Sequence, residues 1–215
     1  MTTPVKRIMI ADDHDIVRRG VRTLIETNPN WQVVGEAETG RKALELARET
    51  RPDIAIVDYS LPELNGRDLT HELRRELPRI EVLIYTMHDR EDMILDVLQA
   101  GARGFVLKSE TEWHLCAAIE ALSIHRPYFS GAISEALLDQ YLRSRPQPSF
   151  STLTHREREV VQLIAEGKIN KQVAELLNIS IKTVETHRST AMHKLKLRTT
   201  ADLVRYAVRN SIVEP

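Results

Sequence analysis

Five polar residues stand where apolar stretches in the first 124 residues end, and their side chains are of types that take part in phosphoryl chemistry. They are Asp12, Asp13, Asp58, Thr86 and Lys108. An aspartate carboxylate can attack phosphorus as a nucleophile, whereas an ammonium and a hydroxyl can bind phosphoryl oxygens. Three neighbouring carboxylates repel one another unless a cation lies between them. We therefore expect Asp58 to be the nucleophile and Mg²⁺ to be the cofactor, with Asp13 and Asp58 as direct ligands and Asp12 binding through water.

Each of these residues also has a common structural role. Adjacent acids after a strand, such as Asp12 and Asp13, often cap the next helix. Thr86 alone would be a strand-end hydroxyl, and Lys108 alone would be a solvated lysine. The combination favours a chemical site, because one sheet topology brings all of these strand ends together.

The elements that position these residues alternate between strand-like and helical patterns over residues 5–124. This alternation is typical of β-α units around a parallel sheet. In a flavodoxin-like, doubly wound sheet of order 2-1-3-4-5, strands 1, 3, 4 and 5 are neighbours, and their carboxyl ends form one rim. The predicted strands are 5–10, 31–37, 53–58, 81–86 and 104–107, and the predicted helices are 14–28, 40–50, 66–77, 89–100 and 111–124.

Four short motifs in this half resemble the receiver domain of two-component response regulators. They are "ADD" at 11–13, "IVDYSLPELNG" at 56–66, "IYTMHD" at 84–89 and "GFVLK" at 104–108. The resemblance implies that a sensor histidine kinase phosphorylates Asp58, that Thr86 and Lys108 sense the phosphoryl group, and that Phe105 occupies the position of a switch aromatic, which is often Tyr. It further implies that Mg²⁺ is held by Asp12, Asp13, Asp58 and the backbone carbonyl of Ser60.

The rest of the chain is predicted to be helical and basic. Residues 151–215 contain 11 Lys and Arg against 7 Asp and Glu, whereas residues 1–150 contain 19 against 24. An excess of positive charge favours a polyanionic partner. Thr154 and Glu157 predict a capping box at the start of the first of four helices, and Gly167 predicts its end.

Between the two halves, the sequence predicts a linker at 125–150. Pro146 and Pro148, with Ser and Gln around them, interrupt any regular pattern there. A short amphipathic helix is expected near 132–143. We thus expect a receiver domain at 1–124, this linker, and a small all-α domain at 151–215.

The third helix of the basic half, predicted at 182–195, has one apolar and one polar side. Val184, Ala191 and Leu195 recur at helical spacing on the apolar side. Five Lys and Arg against one Glu lie between residues 182 and 198, which suits contact with DNA phosphates. Periodicity alone leaves open a helical bundle with a solvated face.

The residues 153–197 resemble the LuxR-type helix-turn-helix of the NarL/FixJ subfamily, in which residues 170–189 would form the helix-turn-helix. The resemblance implies a double-stranded DNA partner with an inverted-repeat operator and a homodimer on activation. The last helix, with Leu203 and Val204 in its apolar stripe, is then either core or the dimer contact. The implied DNA contacts are Lys182, Glu185, Thr186, His187, Arg188, Ser189 and Lys194.

These observations predict a phosphorylation-activated transcription factor rather than an enzyme. A phosphatase with an aspartyl-phosphate intermediate would carry a second Asp two residues after the nucleophile, where this chain has Ser60. A receiver gated without phosphate and an adaptor that does not bind DNA remain alternatives. No apolar run is long enough to span a bilayer, and the N-terminus lacks a signal-peptide pattern, so we expect a cytoplasmic protein without a membrane partner.

Overall fold

The structure is a computed structural model that describes residues 5–131, 133–134, 153–210 and 212–213. The chain divides into two compact units, and each is described by itself. The short helix predicted near 132–143 lies almost entirely outside the described residues, as do Pro146 and Pro148. Among the described residues, no helix is both long and apolar enough to cross a membrane.

The first unit is built on a parallel sheet whose strands follow the order β2-β1-β3-β4-β5-β6. The predicted order of the first five strands is confirmed, and their neighbours all pair in parallel. The strands are β1 Lys6–Ala11, β2 Trp31–Ala37, β3 Ile54–Val57, β4 Glu81–Thr86, β5 Gly104–Leu107 and β6 Tyr128–Phe129.

The sixth strand was not predicted. It lies inside the segment that the sequence assigned to a linker, and it pairs Tyr128 with Gly104 and Phe129 with Phe105. The backbone N–H of Tyr128 also donates to the carbonyl of Arg103 at 3.0 Å. A two-residue strand shows no alternation of apolar and polar residues, so only its partner strand defines it.

Within the described part of the chain, the five helices that the sequence predicted between and after the strands cover the sheet. Every second side chain along a strand faces the same layer of helices. Ile8 and Ile10 of β1 therefore pack in one cluster with Val21, Ile25 and Leu115. The helices are α1 Asp15–Glu26, α2 Gly40–Thr50, α3 Gly66–Glu76, α4 Glu91–Gln99 and α5 Glu112–Ser123.

The second unit contains four helices in the described residues, which confirms the predicted small helical bundle. They are α6 His155–Ala165, α7 Asn170–Leu177, α8 Ile181–Lys194 and α9 Thr200–Arg209. The predicted capping box of Thr154 and Glu157 is present at the start of α6. Gly167 ends this helix with φ 84°, and Asn178 makes the turn between α7 and α8 with φ 51°.

Candidate functional site

The carboxyl ends of β1, β3, β4 and β5 bring the predicted acidic rim together. Asp12 and Asp58 directly follow β1 and β3. Their backbone N–H groups continue the sheet bonding, because Asp58 donates to the carbonyl of Ala11 at 2.8 Å and Asp12 donates to the carbonyl of Ala37 at 3.1 Å. Both carboxylates are therefore held by backbone that belongs to the sheet.

Lys108, which follows β5, joins these two acids. Its Nζ lies 2.6 Å from Oδ2 of Asp58 and 2.7 Å from Oδ2 of Asp12. The three side chains are 7 % exposed or less. A buried ammonium shared by two carboxylates is a charge-assisted network in which each group compensates the burial of the others.

The pKa values of this network follow from burial and from its charges. Burial raises the pKa of Asp12, the neighbouring charge of Asp58 raises it further, and the bond from Lys108 only partly opposes this. For Lys108, burial disfavours the ammonium, but the carboxylates of Asp58 and Asp12 outweigh burial and raise its pKa above the ordinary value. Lys108 is consequently charged throughout the physiological pH range.

A cation site is available beside this network. Asp12, Asp13, His14 and Asp58 each offer a ligand atom, and these atoms all lie within 4.8 Å of one another. Asp13 is the more exposed acid, and its Oδ1 lies 2.8 Å from Nδ1 of His14. Three carboxylates with one open side fit Mg²⁺, which binds to carboxylate oxygens and keeps several waters.

Thr86 ends β4 on the same rim and is fully buried. Its Oγ1 accepts a 3.4 Å hydrogen bond from the backbone N–H of His88, and its carbonyl accepts one of 2.7 Å from the N–H of Lys108. Phe105, the predicted switch residue, is also fully buried and lies opposite Ile84 in the β4–β5 pair. Thr86 and Phe105 thus lie on two neighbouring strands that are joined by backbone pairing.

A side-chain contact near the rim has no signal in the sequence. Ser60 Oγ lies 2.9 Å from Nε2 of His88, although the two residues are 28 positions apart. The ring of His88 also lies edge-on to that of Tyr59, with centroids 6.2 Å apart. The pair therefore links the loop after Asp58 to the loop after Thr86, and only the folded structure reveals it.

Gly66 is required by close packing behind Asp58. Its N–H donates to the carbonyl of Tyr59 at 2.7 Å, and a Cβ on Gly66 would meet the carbonyl oxygen of Asp58 and lie 2.8 Å from Cα of Tyr59. Asn65 caps α3 by accepting from the N–H of Asp68 at 2.9 Å. The turn between Asp58 and α3 thus fixes the backbone of the predicted nucleophile.

In the second unit, α8 presents the polar side that the sequence predicted. Ser180 caps the helix by accepting from the N–H of Thr183 at 3.1 Å. Val184 and Ala191 are fully buried on the opposite side. The predicted DNA contacts that are exposed in the first turns and the middle of α8 are Lys182, Glu185, Thr186 and Ser189, and Lys194 is exposed near its end.

The side chains of two basic residues among the predicted DNA contacts are bonded to other helices of the second unit. Lys194 donates to Oε2 of Glu157 at 2.7 Å, which ties α8 to α6. Arg188 donates to Oδ1 of Asn170 at 3.3 Å and to Oγ1 of Thr200 at 2.6 Å. His187 is half-buried. These bonds give Lys194 and Arg188 a structural role that the sequence did not indicate.

The last helix contributes mainly to the core of this unit. Leu203 and Ala207 are fully buried, whereas Val204 and Val208 are half-buried. One side of the apolar stripe therefore packs inward, and the two valines one turn apart leave part of their surface free.

Comparison with known families assigns both halves of the chain. Residues 8–120 match the model of the response regulator receiver domain. Residues 151–207 match the model of the bacterial regulatory proteins of the luxR family.

Individual relatives have the same arrangement over nearly their whole length. The transcriptional regulatory protein MctR of Rhizobium johnstonii is 35 % identical over 210 residues, which cover 98 % of this chain and 96 % of that protein. The oxygen regulatory protein NreC of Staphylococcus epidermidis is 33 % identical over 97 % of this chain and 99 % of its own length. A solved structure of RcsB from Salmonella enterica serovar Typhimurium, bound to promoter rprA in the presence of phosphomimetic BeF3-, is 28 % identical, with a TM-score of 0.63 over 94 % of this chain and 98 % of that chain.

Proposed function

The chain belongs to the response regulators that join a receiver domain to a LuxR-family DNA-binding domain, and we propose that phosphorylation of Asp58 controls how it binds to DNA. As a member of this family it is a phosphorylation-regulated transcription factor and not an enzyme. The observation that carries the assignment to Asp58 is its place at the buried rim, bonded to Lys108 and close to Asp12 and Asp13.

Phosphoryl transfer to Asp58 needs a nucleophilic oxygen and compensation for new negative charge. A carboxylate oxygen of Asp58 attacks phosphorus, and the bond between phosphorus and the donor nitrogen of a histidine kinase breaks. Lys108 is already 2.6 Å from this carboxylate, so its ammonium can move to a phosphoryl oxygen with little rearrangement. Mg²⁺, when bound by Asp12, Asp13, Asp58 and the Ser60 carbonyl, would neutralise phosphoryl charge.

The phosphorylated state differs from the resting state at Thr86. A phosphoryl group brings acceptor oxygens to the rim, and the Thr86 hydroxyl can donate to one of them. In the present structure the oxygen of the same hydroxyl accepts a hydrogen bond from the N–H of His88. Because Phe105 is buried on the neighbouring strand, a shift of β4 against β5 reaches its ring, and we assign it the role of the switch aromatic.

DNA binding is assigned to the exposed side of α8. A recognition helix of a helix-turn-helix enters the major groove with its N-terminal residues toward base edges. Lys182, Thr186 and Ser189 have the exposure that this requires. The structure of RcsB bound to promoter DNA supports this assignment. The chain is further proposed to bind an inverted repeat as a homodimer, with the half-exposed surface of Val204 and Val208 as the dimer contact.

The chemical part of the proposal is tested by the mass of the protein after incubation with acetyl phosphate and Mg²⁺. The wild-type chain gains one phosphoryl group, and peptide mapping assigns it to Asp58. Asp58→Asn gains none, and chelation of the metal strongly slows the reaction of the wild type. A receiver gated without phosphate would remain unmodified under all of these conditions.

A further inference from the structure

The DNA-facing side of α8 carries an exposed acid, Glu185. It lies one helical turn from Lys182 and from Ser189, both exposed. The buried residues Val184 and Ala191 lie on the other side. The carboxylate is therefore on the surface that we assign to DNA.

In the described part of the second unit, Glu185 is not ion-paired with the cations that lie one turn away from it on α8. Among the residues that the structure describes, no ion pair is recorded between Glu185 and Lys182, which precedes it by three positions. Arg188, three positions later, uses its guanidinium to bind Asn170 at 3.3 Å and Thr200 at 2.6 Å. Both of these partners are neutral, so Arg188 keeps its positive charge, but the carboxylate of Glu185 is held in an ion pair by neither of these two cations.

A carboxylate that approaches the phosphate backbone is repelled, so this position opposes non-specific binding. Its charge is compensated when it accepts a hydrogen bond from a base. Cytosine offers its N4 amino group in the major groove as a donor, and its neighbour on the same base is a C5–H group and not an acceptor. The amino group of adenine lies beside the acceptor N7, which repels a carboxylate, and guanine and thymine offer acceptors there.

The position of Glu185 along the helix suits this contact. It is the fifth residue of α8, whose start is fixed by the Ser180 cap. The first turns of a recognition helix are the part that reaches base edges. Ile181, one turn earlier, is 45 % exposed and apolar, so it would exclude water from this edge of the interface.

We propose that Glu185 reads a cytosine in each half-site of the operator, by accepting a hydrogen bond from its N4 amino group. This proposal rests on the proposed DNA-binding function and adds which base Glu185 selects. The repulsion by phosphates and the bond to cytosine act together, because Glu185 weakens binding wherever cytosine is absent.

The proposal is tested by selection from a pool of random DNA duplexes with the full chain treated with acetyl phosphate. Wild type, Glu185→Ala and Glu185→Gln are compared, and Glu175→Gln, which neutralises an exposed acid on α7, is the matched control. Wild type and the control should enrich a C·G pair at one position of each half-site. The two Glu185 variants should lose this preference and keep the flanking ones.

Affinities for the selected duplex complete the test. Replacing the C·G pair by T·A should weaken wild-type and Glu175→Gln binding about 10-fold, and should change Glu185→Ala binding less than about 2-fold. Retention of the cytosine preference by Glu185→Ala, or a base other than cytosine at the dependent position, would overturn the proposal. If wild type enriched no sequence at all, the DNA-binding function itself would fail.

Discussion

At the scale of single residues, Lys108 governs the charge balance of the rim. Its ammonium bridges Asp12 and Asp58, and all three side chains are nearly excluded from water. The types and order of these residues allowed the rim to be expected from the sequence. That Lys108 bonds to both acids could not be, because the sequence does not say whether a strand-end lysine turns toward the sheet edge or to solvent.

Lys108→Met should destabilise the receiver in the absence of divalent metal. Two buried carboxylates would then face each other without the ammonium, at a cost of about 3 kcal/mol at neutral pH. The folded protein raises the pKa of Lys108 above 10.5, so the stabilisation is complete below pH 10.5 and is lost as the pH rises through the folded pKa. Urea unfolding at several pH values should therefore show wild type and variant converging above pH 10.5.

Lys42→Met is the matched control for this experiment. Lys42 is exposed on α2 and pairs with the exposed Glu38, a kind of ion pair that contributes little to stability. Its unfolding free energy should stay within about 0.5 kcal/mol of wild type. Equal stability of Lys108→Met and wild type at neutral pH would show that the ammonium does not hold the acids together.

At the scale of elements, the turn before α3 sets the position of Asp58. Gly66→Ala would push a methyl group into the backbone of Asp58 and Tyr59, which cannot yield as a side chain can. We expect a loss of about 1–3 kcal/mol in unfolding free energy and slower phosphorylation by acetyl phosphate.

Gly20→Ala, the same substitution at another glycine, should have the opposite effect on stability. Gly20 lies within α1, and a Cβ there would meet nothing within 4 Å. Alanine should stabilise the helix by about 0.5–1 kcal/mol without changing the phosphorylation rate. A Gly66→Ala protein that matched Gly20→Ala in both measurements would contradict the assigned role of the turn.

The helix α8 contains lysines with different expected roles. Lys182 is exposed near its start, whereas Lys194 near its end is bonded to Glu157 of α6. Lys182→Ala should weaken binding to all DNA sequences and reduce the salt slope of the logarithm of affinity by about 1. Lys194→Ala should lower the unfolding free energy by about 1 kcal/mol and leave the salt slope unchanged. The reverse pattern would mean that Lys194 contacts DNA, as the family resemblance implied.

At the scale of the whole molecule, long elements were predictable and short or partner-dependent features were not. The strands β1 to β5 and the four helices of the second unit have hydrophobic periods that define them locally. The strand β6 exists only through its pairing with β5, and the bond between Ser60 and His88 joins two loops that are distant in sequence. Such features depend on tertiary contacts, which a single sequence does not encode in a local pattern.

The two halves also differ in charge in a way that fits their assigned partners. The acidic first half contains the proposed phosphoryl site, and the basic second half is assigned to DNA. Phosphorylation replaces the single negative charge of the Asp58 carboxylate with a phosphoryl group that carries about two, a change that is local in the receiver. Because phosphorylation does not change the charge of α8 itself, its effect on DNA binding must come from a conformational change.

The most direct test is the affinity of the full chain for its selected operator duplex, measured at fixed salt with and without acetyl phosphate and Mg²⁺. For wild type we predict that treatment changes the affinity by roughly 5- to 150-fold, the usual range for coupled sites. Asp58→Asn should show no change. Equal wild-type affinity in both conditions, or a response that persists in Asp58→Asn, would contradict the control of DNA binding by phosphorylation of Asp58.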